Sequence, residues 1–416
     1  MLRRRSARSL LPLLLLAATC GRGVDPIVIG AVYPTGGSQG TGGIEEYRGL
    51  ALAAEMVNAE GGVAGRPLEI RLEPTDSAEG APRAVERLVA GGAAVVAGSY
   101  GSTISLPAAE AAASGGVVFW ETGAVGELSM GAAAGEWAFR FPPTGSSLGR
   151  AAVAFMAETL LPRLPDAPPQ EDLRWGVAYV DDVYGRSVGL GALAEIALRG
   201  LGPSVELPYA LASFDPTSLG RTIHRAGIDV LVVSAYLEDG VALRRALVAQ
   251  QVPLVASIGT SSSYCHPEFG ARLGEDAVGL FASDKPDGDV VDPTALSRRA
   301  GEVLRRARTQ YRERHGAPMS GAALSGFAAG WALFHHVLPH ARGLSAAAVA
   351  DAIRRARLPV GALPNGSGLA FQGSGPDAGM NLRATSVIWE WVEPGLREVV
   401  WPPAFATAPL EPIPLS

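Results

Sequence analysis

IVIGAVYPTGGSQGTGGIEEYRGLALAAEMVNAEGGVAGRPLEIRLEP, residues 27–74, is the stretch on which the architecture turns. Its first seven residues are apolar and mostly β-branched, and they run into a Pro/Gly/Ser loop, PTGGSQGTGG, as a buried strand does at its end. Ile44, Tyr47, Leu50, Ala51, Ala54 and Val57 then keep helical spacing until Gly61-Gly62 stops the helix. LEIRLEP (68–74) alternates apolar and polar residues and suits a strand. Strand, helix and strand in immediate succession make a βαβ unit. The pattern continues with a helix around 81–91, a strand over 93–99, a helix around 104–114 and a strand over 117–120, which predicts a parallel sheet with helices on its faces.

Working outward, AFRFPPTGSS (138–147) interrupts this rhythm, and a helix over 148–161 is followed by a proline-rich excursion, PRLPDAPPQED (162–172). The alternation then restarts. Strands are predicted at 175–180, 204–210, 229–236 and 253–258, with helices at 186–199, 217–226 and 239–250 between them. Residues 294–315 and 320–338 read as two more helices, and SVIWEWVEPGLREVVWP (386–402) as two apolar strands around a Glu-Pro-Gly turn. The fold class is therefore α/β, with two lobes built on parallel central sheets, and 416 residues suffice for two sizeable cores.

Composition narrows the function. The net charge is −6, and without the four arginines of residues 1–19 it becomes −10, which argues against a nucleic-acid partner. Lys285 is the only lysine and precedes Pro286, so there is no GK[ST] phosphate loop; if ATP drives this protein's work, another polypeptide hydrolyses it. Residues 1–19 have a basic start, an apolar run and small residues before Cys20, the shape of an export signal too short to span a bilayer. The LAATC ending resembles a lipobox, in which Cys20 would carry lipid; the alternative is a plain secreted chain in which Cys20 pairs with Cys265.

Catalytic readings are weak. GGSQG (36–40) matches G-x-S-x-G with Ser38 in the nucleophile's place, but that motif needs a sharp strand-to-helix turn and Ser38 lies in a long loop. The glycines there are better explained as letting backbone approach a ligand. His336 and His340 have i, i+4 spacing, but Pro339 lies between them and neither carboxylate nor cysteine adjoins them. No GxGxxG follows a predicted strand. No enzyme activity, cofactor or metal is expected.

Several separated segments carry a resemblance: IVIGAVYPTGG with YRGLALAAEMVNAEGGVAGRPLEI, then VVAGSYGSTISLPAAEAAASGGVVFW, WGVAYVDDVYGRSVGLGALAE, FDPTSLGRTIHRAGIDVLVVSAYLEDGVALRRAL and FAAGWALFHHVL. In this order and with these gaps the chain resembles type I periplasmic binding proteins of the leucine/isoleucine/valine-binding family, the solute receptors of branched-chain amino-acid ABC importers. The resemblance implies two lobes, 25–140 plus 286–360 and 146–278 plus 384–402, joined by crossings at 141–145, 279–285 and 361–383, with a tail over 403–416. It implies a small solute held between the lobes and an ABC permease, with separate ATPase chains, as partner. A ligand-sensing receptor of the same fold is the alternative, and a Ser38 hydrolase a remote third.

Site residues follow from chemistry and resemblance together. In GSYGSTISLPAAEAAA a strand ends near Ser99 and a helix begins close to Ser102, placing free N–H groups and hydroxyls where an anion gains from the helix dipole, with Pro107 in the first turn. Ser102 and Thr103 align with the family's carboxylate-binding serine region, with Tyr100 beside them; simple capping of the helix is the other reading. In WETGAVGELS (120–129) the resemblance puts an amine-binding carbonyl on Thr122 and a carboxylate-binding hydroxyl on Ala124, which has none. From the facing lobe come Tyr184, Tyr236 and Glu238, and Glu238, Glu121 or Asp182 could hold an ammonium group. Trp120 either lines the pocket or packs between layers.

Overall fold

The protein, described from a computed structural model, is defined over residues 24–127, 133, 135–164, 167–375 and 378–415. Residues 1–19 and Cys20, read above as a signal and a lipid-bearing cysteine, lie outside the described residues. Two sheets organise the rest.

The first sheet holds β1 (Ile27–Tyr33), β2 (Leu68–Pro74), β3 (Val95–Gly98), β4 (Val118–Glu121) and β5 (Ala138–Arg140) in the order β2-β1-β3-β4-β5. All neighbouring pairs are parallel. Helices α1 (Gly40–Ala59), α2 (Ala81–Ala90) and α3 (Ser102–Ser114) connect its first four strands. Both faces are covered, so β3 and β4 are buried throughout and read as continuous apolar runs.

After α4 (Gly145–Phe155) the second sheet is built from β6 (Trp175–Val180), α5 (Val183–Arg199), β7 (Ser204–Tyr209), α6 (Pro216–Arg225), β8 (Val230–Ser234), α7 (Leu237–Ala249), β9 (Ala256–Thr260), α8 (Pro267–Leu273) and β10 (Phe281–Asp284). The chain then returns to the first sheet through α9 (Arg298–His315), α10 (Gly321–Trp331), α11 (Ala346–Arg355) and a small ribbon of β11 (Arg357–Leu358) and β12 (Leu369–Ala370). Finally β13 (Val387–Glu393) and β14 (Leu396–Trp401) join the second sheet antiparallel, giving the order β14-β13-β10-β9-β8-β6-β7.

Helix α10 belongs to the first lobe because it lies on α1 at backbone contact distance. A Cβ at Gly49 would stand 1.9 Å from the Ala323 carbonyl oxygen, and one at Gly326 would stand 2.0 Å from the Glu46 carbonyl oxygen. Only hydrogen fits at either position. Trp120 anchors the same layer, donating from Nε1 to the Ala329 carbonyl at 3.0 Å while fully buried. It therefore packs between layers and does not line a pocket.

Several expectations need correction. Residues 281–284, assigned above to a crossing, form β10 and pair with both β9 and β13, so the second crossing starts at Lys285. The segment 361–383 contains β12 and carries a bridge from Met380 to Arg140 of β5. Pro107 sits inside α3, past its first turn. Beyond Trp331 the helix widens into π-type turns over Ala332–Val337. Elements α8, α11 and β5 were not predicted at all; each is short, and periodicity has little to act on there. Among the described residues no helix is long and apolar enough to cross a membrane.

Candidate functional site: the cleft between the lobes

The carboxyl ends of the two sets of parallel strands face one another, as ligand-binding ends of open α/β sheets do. From the first lobe, β3 delivers Ser99 to Gly101 at the start of α3, and β4 delivers Glu121 to Val125. From the second, β6 delivers Asp182 and Tyr184, β8 delivers Tyr236, β9 delivers Ser261 and Ser262, and β10 delivers Lys285. A narrow cavity between them is lined by Tyr100, Ser102, Tyr184, Tyr236, Ser262 and Lys285 among others. Four of these were expected; Ser262 and Lys285 were not.

Glu121 organises the first-lobe rim. Fully buried, its Oε1 accepts the backbone N–H groups of Ser99 (2.9 Å), Thr122 (2.9 Å), Gly123 (2.8 Å) and Ala124 (2.8 Å), and its other oxygen accepts from the Ser105 hydroxyl. Burial raises its carboxyl above the usual range, against those hydrogen bonds. With this set of donors it holds loops in place, and it does not line the cavity. Ser102 is the first residue of α3, whose N-cap is Gly101 without side-chain capping. Its Oγ accepts from the Gly126 amide at 3.0 Å, which leaves its hydroxyl proton free to donate. The capping reading for Ser102 is thereby removed.

Tyr100 adopts a left-handed backbone (φ 64°), an uncommon state for a bulky residue that costs about 1–3 kcal/mol. Its ring lies over Gly42, where a Cβ would approach to 2.1 Å, and its hydroxyl meets Ser262 Oγ at 3.1 Å across the cleft. Gln39 forms a second link, donating from Nε2 to the Tyr236 hydroxyl at 3.0 Å. That hydroxyl in turn donates to Asp182 Oδ2 at 2.7 Å, and Asp182 also caps α5 through the Gly185 amide at 2.9 Å. Tyr184 packs against Tyr236 with ring centroids 5.4 Å apart and donates to the Thr260 carbonyl at 3.1 Å. It offers the cavity its ring, since its hydroxyl proton is already engaged.

Other expected residues are placed elsewhere. Glu238 is largely exposed and forms a two-pronged pair with Arg272 at 2.6 and 2.9 Å, away from the cavity. Thr103 opens on a separate groove with Glu127, Arg150 and Asp181. Thr122 is buried beneath the rim: its hydroxyl donates to Glu46 Oε1 at 2.6 Å, and its carbonyl, expected to receive an amine, accepts from Ser325 Oγ at 2.6 Å. Ala124 is buried and presents only its backbone. Ser38 is exposed in a short 3-10 turn (Gly37–Gln39) well beyond the end of β1, which is not an elbow geometry. His335 stacks on Trp331 at 5.0 Å, and among the described residues no group of three His, Cys, Asp or Glu side chains could hold a metal.

Sequence reading missed Gln39, Glu46, Ser262 and Lys285. Glu46 was hidden in a helix that reads as amphipathic, where a glutamate is normally solvent-facing; here it is fully buried beneath the 121–124 loop, with its carboxyl pushed up to about 8 by burial, partly offset by the Lys285 charge. Lys285 was noted only as the lone lysine, because β10 was not recognised and its end could not be placed.

The comparisons agree with this architecture. A family model described as "Periplasmic binding protein" matches residues 26–378. The chain is 27% identical over 386 residues to Leu/Ile/Val-binding protein homolog 8 of Brucella abortus, covering 92% of each, and 25% identical over 381 residues to homolog 7 of the same organism, covering 91% and 92%. Among solved structures it superposes on a leucine binding protein LivK from Thermotoga maritima with a TM-score of 0.74 at 18% identity, covering 90% of this chain and 97% of that one. An ABC transporter substrate-binding protein from Desulfitobacterium hafniense in complex with Leu gives a TM-score of 0.68 at 20% identity, covering 90% and 100%. A match running from β1 through β12, the returning helices included, shows that the chain belongs to the periplasmic binding protein family.

Proposed function

We propose that this chain is the extracytoplasmic solute receptor of an ABC importer, capturing a small solute, an amino acid or a related carboxylate or amide, by closure of two lobes. The carrying observation is that one cavity draws Tyr100 and Ser102 from one lobe and Tyr184, Tyr236 and Ser262 from the other. A solute touching both sets favours the closed arrangement by its differential contacts, and no bond need be made or broken. The first lobe is 25–140 with 286–383, and the second 146–284 with 384–402. Ser102 and Tyr100 receive the solute's polar end and Tyr184 with Tyr236 its body.

The relatives named for Leu, Ile and Val binding, and the structural neighbour holding Leu, support this reading. Residues 1–19 act as an export signal, Cys20 carries the lipid that holds the receptor at the membrane surface, and membrane permease subunits read the closed form. Small-angle scattering with and without candidate solutes, together with melting temperature, tests it. A decrease in radius of gyration and a raised melting temperature with the same compound are expected; an unchanged particle with every compound would overturn the reading.

A further inference from the structure

Lys285 leaves β10 into the cleft and is 6% exposed. Its Nζ donates to the Gly123 carbonyl at 3.0 Å, the one hydrogen bond it makes among the described residues, and there it forms no ion pair. Its neighbour Asp284 accepts from Ser261 Oγ at 2.7 Å. Glu46, whose carboxyl burial raises to about 8 against the pull of the Lys285 charge, forms no ion pair with it. An ammonium group has three N–H donors, so a buried cation here retains two without an acceptor among the described residues and has no carboxylate there within ion-pair distance. Such a group is costly unless something anionic completes it.

The same geometry engages the groups expected to receive a ligand's own ammonium. The Gly123 carbonyl is occupied by Lys285, the Thr122 carbonyl by Ser325, and Glu121 by its amides and Ser105. Asp182 is taken by Tyr236 and the Gly185 amide, and Glu238 lies outside the cavity on Arg272. What the cavity offers instead is the Lys285 ammonium, the Ser102 hydroxyl and the start of α3, all suited to a negative charge.

Building on the receptor reading, we infer that this cleft selects a carboxylate that carries no ammonium group: Lys285 stands where an amino acid's amine would go and supplies the charge that holds the acid. A zwitterion entering the same site would bring its cation against Lys285, while the Thr122 and Gly123 carbonyls and the Glu121 and Asp182 carboxylates already accept hydrogen bonds from the protein.

Titration calorimetry of the purified chain with matched pairs decides this: 4-methylpentanoate against L-leucine, 3-phenylpropanoate against L-phenylalanine, and 4-methylpentanamide as the neutral form. The acid of each pair is expected to bind at least about tenfold more tightly than its amino acid. Lys285→Met is expected to weaken acid binding by about tenfold or more and to reduce the discrimination within each pair, whereas Lys285→Arg keeps the preference for acids. Amino acids binding as well as or better than the acids, or the amide alone binding, would overturn the inference and leave the receptor reading standing. If neither series binds and scattering shows no closure with any compound, both fall. Should Lys285→Met fail to fold, the wild-type pairs still decide.

Discussion

Gln39 and Tyr236, 197 residues apart, are joined by a 3.0 Å hydrogen bond that crosses from the loop before α1 to the start of α7. The acceptor hydroxyl is itself held by Asp182, so the link has a rigid anchor on the second lobe. With the bond between Tyr100 and Ser262 it ties the lobes directly. Gln39→Ala should therefore loosen the closed arrangement. The expected result is a larger radius of gyration without solute and an affinity lowered by several-fold, on the scale of about 0.5–1.5 kcal/mol for one hydrogen bond. A scattering curve identical to that of the unaltered chain would count against the latch.

Ser102→Ala removes the hydroxyl at the start of α3 and leaves the Gly126 amide without its acceptor. Solute affinity is expected to fall about tenfold or more, since a hydrogen bond to a charged group contributes roughly 1.5–3 kcal/mol. Titration calorimetry provides the check, and undiminished affinity would remove Ser102 from the site.

Glu238→Ala is the contrasting case. The pair it forms with Arg272 is exposed, and such pairs contribute about 0–1 kcal/mol. Melting temperature and solute affinity should both remain close to those of the parent; an affinity loss comparable to that of Ser102→Ala would show that Glu238 reaches the solute after all.

The Glu46 carboxyl is raised to about 8 from an ordinary value of 4.5, mainly by burial. Between those two values the unfolded chain releases this proton while the folded chain keeps it, so stability attributable to Glu46 falls as pH rises from about 4.5 to 8 and then levels off. Glu46→Gln, which cannot ionise, should flatten that slope. Denaturant unfolding at pH 5 and pH 8 measures it: the stability difference between the two pH values should be smaller in the variant, on the order of a few kcal/mol at most.

Gly326→Ala tests the seam between α1 and α10. The added methyl would meet the Glu46 backbone oxygen at 2.0 Å, and backbone cannot rotate away. A loss of about 1–3 kcal/mol or more is expected, read as a lowered melting temperature. An unchanged melting temperature would mean that the helices can separate at no cost.

Local pattern carried the sequence reading a long way. The apolar β-branched run at 27–33, the spacing from Ile44 to Val57 and their recurrence after Trp175 specify alternating strands and helices, because these periods are properties of a few neighbouring residues. That is why two α/β lobes and the strand-end positions of Tyr100, Ser102 and Tyr236 could be read directly, whereas Tyr184 was placed by the family resemblance. What each side chain does there was decided by contacts between distant segments. Thr122, expected to offer its carbonyl to an amine, is fully buried with that carbonyl accepting from Ser325, 203 residues away. Lys285 gained a role because the chain leaves the second sheet at that residue and brings its ammonium to Gly123, 162 residues earlier. Periodicity reports which face of an element is buried; the partner a polar group meets there depends on how the layers are stacked, and only the tertiary structure sets that.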